Sequence, residues 1–153
     1  KGREVLRGRL VVPVMDGKGE ITGLCGIRLG GKTKPITLPD TCRGLFNPAA
    51  IQSEELLLCW SVPDALILWQ EGWKTVTAAE TLGRSLEAFK GSSLQSVGIV
   101  MDRRKGRSIG RRLRAAGIEV FSVDVPFAAK FIRLHGVEKF DALLKSAKSR
   151  SVL

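Results

Sequence analysis

Apolar and polar positions alternate along the first part of the chain, and this pattern predicts a β-hairpin. The stretch "RLVVPVMDGKGEITGLCGIRL" alternates on either side of "DGKG", where Asp16 and Gly17 supply the turn. Pro13 has no amide proton, so the first strand is expected at a sheet edge or at a bulge. The next stretch, "GGKTKPITLPDTCRGLFNPAA", is rich in glycine, proline and threonine and is expected to form a loop.

From Glu54 onward, short apolar runs alternate with segments of helical periodicity. Strands are predicted over "ELLLCW", "KTVTAA", "SVGIVM" and "IEVFSV". Helices are predicted over "PDALILWQEG", "LGRSLEAFKG", "GRSIGRRLRAAG" and "VEKFDALLKSAK", and the tail "KSAKSRSVL" is expected to fray. This alternation predicts an α/β domain with a mostly parallel sheet flanked by helices. Functional residues are then expected at the carboxyl ends of the strands.

The composition adds a strong positive charge to this picture. The 153 residues include 25 Lys and Arg against 15 Asp and Glu, which gives a formal net charge of +10. Such a charge attracts polyanions, so DNA or RNA is the first expected partner; an acidic membrane surface and a merely solvated surface are the alternatives. The apolar stretch around residue 60 is interrupted by Ser61, Pro63 and Asp64, and no membrane-spanning segment is expected.

The 3 cysteines lie far apart and form no C-x-x-C pair, so the sequence predicts no zinc site. We expect reduced thiols and a cytoplasmic protein.

The stretch "GIRLGGKT", from Gly26 to Thr33, matches the phosphate-binding pattern G-x-x-x-x-G-K-[ST]. That motif requires a helix directly after it, whose N-terminus meets the phosphates. Here Pro35 and Pro39 follow, and the segment between them has no helical period. A glycine-rich connection after a hairpin is therefore favoured over an ATP-binding loop.

Three longer stretches resemble the catalytic core of bacterial-type DNA primases, in the form found in phages and mobile elements. "RGRLVVPVMDGKGEITGLCGIRLGGKTKPITLPDT" resembles the segment that leads into their TOPRIM domain. "LLLCWSVPDALILWQEGWKTVTAAE" resembles the first TOPRIM strand and helix, and "VGIVMDRRKGRSIGRRLRAAGIEVFSV" resembles the strand that ends in "D-x-D" with the helix after it. The resemblance implies a TOPRIM-like, Rossmann-like fold over residues 51–148, preceded by a small β-rich subdomain over residues 1–50.

In active TOPRIM proteins a glutamate ends the first strand, and the two aspartates of "D-x-D" bind Mg²⁺. Carried onto this chain, the glutamate position falls at Trp60, or at Cys59 or Ser61 if the strand is shifted by one residue. The two aspartate positions fall at Asp102 and Arg104. A further acidic position, after the next strand, falls near Lys130.

The resemblance thus implies a degenerate site in which Asp102 is a remnant. A divalent metal needs clustered carboxylate oxygens, and a single carboxylate beside two arginines is a poor Mg²⁺ site. We therefore expect no metal and no cofactor. Trp60 is expected to fill the vacated acid position, and Asp64 is expected to serve a helix N-terminus. Trp69, on an apolar helix face, is expected in the core.

A run of basic residues follows Asp102 and suggests what replaces the metal. We expect Arg104 to pair with Asp102, and the neighbouring cations to bind phosphate where a strand meets a helix N-terminus. Arginine can bind phosphate in a bidentate manner without a metal. The predicted nucleic-acid-binding residues are Arg103, Arg104, Lys105, Arg107, Arg111, Arg114, Lys32 and Lys34.

The helix after Asp102 is predicted to have one apolar and one basic side. Ile109, Leu113 and Ala116 are expected to face the sheet, because they recur at helical spacing. Arginines at positions 107, 111 and 114 would then form a cationic ridge on the opposite side.

These observations lead to one interpretation and two alternatives. The favoured function is nucleic-acid binding without catalysis, as an accessory part of a replication or mobile-element complex. The first alternative is an active Mg²⁺-dependent primase, nuclease or NTPase. Its acids would be Asp102 with one or more of Asp16, Glu54, Glu55, Glu80 and Asp124. The second alternative is a structural module whose old active-site face is covered by a partner protein.

Overall fold

The computed structural model describes residues 4–30, 33–82, 86, 89 and 91–151. The strands are β1 (Leu10–Met15), β2 (Ile21–Ile27), β3 (Ile36–Leu38), β4 (Glu55–Cys59), β5 (Val76–Ala78), β6 (Ser96–Val100) and β7 (Glu119–Val123). The helices are α1 (Val62–Gln70), α2 (Arg103–Ala115), α3 (Ala128–His135) and α4 (Val137–Ser151), with short 3₁₀ turns at Pro48–Gln52 and Ala79–Thr81. No helix within these residues has the length and apolar character needed to cross a membrane.

The first three strands form a small antiparallel sheet in the order β1-β2-β3. The predicted hairpin is confirmed, because β1 and β2 pair antiparallel. In its turn, Asp16 Oδ1 accepts two backbone N–H groups at 2.8 and 3.0 Å. Pro13 lies on the edge strand β1, and the register shifts between Val14 and Met15, so both the edge position and the bulge occur. The predicted loop contains the short strand β3, which the sequence pattern does not reveal.

Strand β3 also decides the interpretation of the Gly-Lys-Thr motif. Strand β2 ends at Ile27, and the segment after Thr33 enters β3, which pairs antiparallel with β2. In the described part of this segment a strand stands where a phosphate-binding loop requires a helix. The helix that an ATP-binding loop requires is therefore absent from the described residues of this segment, and the glycine-rich connection itself falls partly outside them. Lys32 lies outside the described residues.

The other four strands form the main sheet, in the order β5-β4-β6-β7, and all neighbouring pairs are parallel. This confirms the predicted α/β class with a mostly parallel sheet. Helices cover both faces: α1, α3 and α4 pack on one side and α2 on the other. Strand β7 lies at one edge of this sheet, and its described partner is β6 alone.

The hydrophobic core consists of two clusters, one on each face of the main sheet. Phe140 of α4 is fully buried in the first cluster, and its ring meets Trp73 edge to face at 5.2 Å. A fully buried side chain of this kind contributes about 1.5–3 kcal/mol. Val12 and Val14 of β1 belong to the same cluster, so the small sheet and the main sheet share a core. A domain boundary near residue 50 stays a prediction.

Helix α2 approaches the sheet closely, and its buried side agrees in part with the predicted one. Gly106, Gly110 and Leu113 are its buried residues, whereas Ile109 is only partly buried and Ala116 is exposed. A Cβ added to Gly106 would lie 2.9 Å from Ile99 Cγ2. The prediction is therefore confirmed for Leu113 and for Ile109, which packs against the core, and is wrong for Ala116. The pattern also misses the two glycines, which let the helix backbone itself meet β6.

Three further helix predictions need correction. The pattern places no helix over residues 128–135, where α3 lies, and it lets the C-terminal tail fray, although α4 continues to Ser151. Helix α2 begins at Arg103, three positions before the predicted start. The predicted helix over residues 82–91 falls mostly outside the described residues.

Candidate functional site

The carboxyl ends of three neighbouring strands lie side by side at one end of the main sheet. Cys59 of β4 pairs in register with Val100 of β6, and Val100 pairs with Val123 of β7. The residues directly after these strands therefore lie side by side. They include Trp60, Asp102 and Asp124, so the resemblance and the topology point to the same place.

Asp102 and Asp124 cap the N-terminus of α2. Asp102 Oδ1 accepts the backbone N–H groups of Arg104 and Lys105 at 3.0 and 3.3 Å. Asp124 Oδ1 accepts the N–H group of Arg103 at 3.0 Å. The first three N–H groups of the helix are thus already bonded to carboxylates. The expectation that a phosphate would find free N–H groups here is wrong, and any anion must bind through side chains.

The predicted ion pair between Arg104 and Asp102 is also absent from the described residues. Their salt bridges join Lys145 to Asp141 and Lys148 to Glu55. Asp102 instead turns its carboxylate toward the helix backbone, as an N-cap residue does. The side chains of Arg103 and Arg104 are exposed to solvent.

Trp60 stands at the end of β4 and is covered by a cation. The Lys105 ammonium lies 3.8 Å from the centroid of the Trp60 ring, a cation–π contact. Glu80, which follows β5, accepts the N–H group of Val62 at 2.6 Å and so caps the start of α1. Burial raises the pKa of Glu80 above its usual value. The Val62 hydrogen bond and Lys105 oppose that rise, and Asp64 adds to it.

Asp64 is almost fully buried, at 4% exposure, and both carboxylate oxygens are used. Oδ2 accepts the Ser61 hydroxyl at 2.8 Å, and Oδ1 accepts the N–H group of Ala129 at 2.9 Å. Since Ala129 lies in the first turn of α3, the carboxylate ties α1 to that helix. The prediction that Asp64 serves a helix N-terminus is confirmed.

The other acids of the enzyme alternative divide into two groups. Asp16 is fixed in the hairpin turn, and Glu54 and Glu55 lie at the opposite, amino end of β4. Glu80 and Asp124, in contrast, follow the carboxyl ends of β5 and β7. Within the part of the chain that the structure describes, no group of three or more His, Cys, Asp or Glu side chains is placed to hold a metal ion.

The described basic residues around α2 are exposed, but they divide into separate groups. Arg103, Arg107 and Arg114 line a cleft along the edge of β7. Arg104 and Arg111 lie outside that lining, and Lys105 covers Trp60 on the other flank of the helix. The single ridge predicted from the spacing is thus a basic surface with two sides. Lys34, before β3, is exposed as well.

The cleft has a volume of about 860 Å³ and a second wall that the sequence pattern does not predict. Lys130 of α3 and Arg150 of α4 stand on that wall. The resemblance places Lys130 near an acidic position, but the residue that directly follows β7 is Asp124. Hydrophobic periodicity alone gives no sign of this arrangement, since α3 is short and its N-cap residue Phe127 makes no side-chain capping bond.

Solved primase structures share this fold. The Aquifex aeolicus primase, comprising zinc-binding and RNA polymerase domains, is 26% identical, with a TM-score of 0.75 over 95% of this chain and 41% of its own. A DnaG primase catalytic domain bound to single-stranded DNA is 24% identical, with a TM-score of 0.68 over 92% of this chain and 53% of its own. The E. coli primase catalytic core is 23% identical, with a TM-score of 0.69 over 96% and 55%.

No protein-family model and no curated protein matches the sequence. The chain spans roughly half, or less, of the primase chains that it resembles, at 41%, 53% and 55% of their lengths. This chain has a four-stranded parallel sheet flanked by helices, with a small three-stranded antiparallel sheet before it. The chain therefore has the TOPRIM-like fold of the primase catalytic core.

Proposed function

We propose that this chain is a catalytically degenerate, primase-like domain that binds DNA or RNA through its basic surface without a metal ion. One observation carries the proposal. Where the resemblance puts the glutamate and the second aspartate of a metal site, this chain has Trp60 and Arg104, and the Lys105 ammonium lies on the Trp60 ring. A cation of the protein thus stands beside the position that the glutamate of active relatives would take.

The remaining carboxylates do not fit a magnesium ion. Asp102 and Asp124 accept N–H groups of α2, and Glu80 accepts the N–H group of Val62, so each already serves a helix. Two unit charges 4 Å apart repel by roughly 4 kcal/mol at an effective dielectric constant near 20, and a dication near Lys105 would meet about twice that. We therefore derive no metal-dependent step for this site.

Polyanion binding is supported by charge and by exposure. The net charge is +10, and exposed arginines and lysines surround the N-terminus of α2. Guanidinium groups bind phosphates in a bidentate manner, and each neutralised phosphate releases counterions into solution. A domain with such a surface, and with no metal-holding cluster of acids among its described residues, contributes binding alone, which suits an accessory role in a replication or mobile-element complex.

The test measures the binding of a short fluorescein-labelled oligonucleotide by anisotropy, between about 50 and 200 mM salt. Arg104→Ala and Arg111→Ala are each expected to weaken binding and to lower the salt slope by about one. Lys18→Ala, which removes an exposed charge at the β1–β2 turn, is the matched control. If all three variants bind as the wild type does, the basic surface around α2 is ordinary solvated surface.

A metal-dependent enzyme is the second function to test, because Glu80 and Asp124 follow the same strand ends as Asp102. Titration with Mn²⁺, followed by electron paramagnetic resonance, distinguishes the two. Saturable Mn²⁺ binding that is lost in Asp102→Asn would support the enzyme. A protein that binds no oligonucleotide even at low salt would instead favour the structural module.

A further inference from the structure

A cleft runs along the open edge of β7 and stands partly apart from the residues that the resemblance identifies. Helix α2 forms one wall, α3 and α4 form the other, and the edge of β7 forms the floor. Its volume of about 860 Å³ is in the range of clefts that hold a small ligand or a few extended monomers. A double helix is too thick for such a space.

Both walls of the cleft carry positive charge. Arg103, Arg107 and Arg114 stand on the α2 wall, and Lys130 and Arg150 stand on the other. Asp124 is the acidic residue among the described lining, and its Oδ1 already accepts the N–H group of Arg103. The field inside the cleft therefore favours an anion that can be contacted from two sides.

The cleft also presents an exposed aromatic ring at its mouth. Phe127, the residue before α3, is 61% exposed although it is a large apolar side chain. Phe131, one turn further on, is partly buried in the lining. A positively charged groove with an aromatic ring in reach is the combination that binds single-stranded nucleic acid, because phosphates pair with cations while bases stack on the ring.

An acidic peptide added to β7 as a further strand is the rival occupant, and one contact argues against it. An added strand needs the outward-pointing carbonyl and N–H groups of the edge. The guanidinium of Arg114 donates to the Val120 carbonyl at 3.2 Å and so occupies one of these acceptors. Covering an edge strand with a neighbouring helix is one of the ways in which proteins block such pairing.

We propose that this cleft binds a short single-stranded segment of nucleic acid, with phosphates between the cations of the two walls and a base stacked on Phe127. The inference rests on the proposed function and adds to it a site and a preference for single strands. Lys130 and Arg150 become binding residues, although the resemblance assigns them no such role.

The test compares single-stranded and double-stranded oligonucleotides of equal length by fluorescence anisotropy. Phe127→Ala is expected to weaken single-strand binding about 5- to 100-fold, which is the range of base–aromatic stacking, and to leave duplex binding unchanged. Lys130→Ala and Arg150→Ala should each lower the single-strand salt slope by about 0.7. Trp69→Ala is the matched control, since Trp69 is an aromatic side chain of 47% exposure outside the cleft lining.

A second measurement needs no variant. Photo-crosslinking of the wild type to an oligonucleotide that contains bromouracil, followed by mass spectrometry, should place the crosslink on the peptide that contains Phe127. A crosslink confined to other peptides would overturn the inference.

The remaining outcomes separate the cleft from the proposed function. Suppose that the Phe127, Lys130 and Arg150 variants bind single strands as the wild type does, whereas Arg104→Ala binds them more weakly. The cleft would then not be the binding site, although the proposed function would still hold. A wild type that binds no oligonucleotide would overturn the function itself. If polyglutamate displaced the single strand as well as an unlabelled oligonucleotide of equal charge does, the cleft would be a peptide site.

Discussion

At the scale of single residues, Trp60 and Lys105 show what a sequence can and cannot predict. The replacement of an acid by Trp60 follows from the resemblance alone. The cation over its ring does not, because Lys105 lies on α2, more than forty positions further along the chain, and only the fold brings the two together. The prediction that Trp69 lies in the core is wrong, because its side chain is 47% exposed and Lys74 lies over its ring.

Glu80 provides a prediction at this scale. Burial raises its pKa above the usual 4.5, so the folded state binds its proton more tightly than the unfolded state does. The stability that this carboxyl contributes is present below the unfolded pKa and is lost as the pH rises through the folded pKa. Glu80→Gln keeps an oxygen for the Val62 N–H group and cannot ionise. The variant should therefore gain stability relative to the wild type between about pH 4 and pH 7.

Urea unfolding at the two pH values measures this gain. Glu20→Gln, at an exposed position before β2, is the control and should show no such trend. A stability difference between Glu80→Gln and the wild type that is the same at both pH values would contradict the account.

At the scale of elements, α2 and α3 show why the site is only partly predictable. The Asp102 N-cap is a readable signal for the start of α2, but the glycine-lined face is not, because Gly106 and Gly110 add nothing to an apolar pattern. Helix α3 has eight residues and lacks a capping side chain, so the sequence carries no clear signal for where it begins. The strand and helix alternation, in contrast, predicts the main sheet well, since each buried strand is a compact apolar run.

The N-cap of α2 provides a prediction at this scale. Asp102→Ala should lower the free energy of unfolding by about 1 kcal/mol, because the N–H groups of Arg104 and Lys105 lose their acceptor. Asp102→Asn should cost much less, since asparagine caps equally well without the charge. Denaturant unfolding of the two variants measures this difference, and equal losses would contradict a capping role.

At the scale of the whole molecule, a primase-core fold is combined with a net charge of +10 and a strand-end site whose carboxylates serve helices. Charge can be counted from the sequence, and it predicts the class of partner. The sequence does not show how this charge is shared between the basic surface around α2 and the cleft, because that depends on how α3 and α4 pack along β7. Whether nucleic-acid binding needs a metal ion decides between a degenerate and an active site.

The most direct test of that claim measures the affinity for a short single-stranded oligonucleotide in EDTA and in Mg²⁺ at matched ionic strength. The account predicts equal dissociation constants in the two buffers and a steep loss of affinity as monovalent salt rises. Binding that appears only with Mg²⁺ and disappears in EDTA would contradict it.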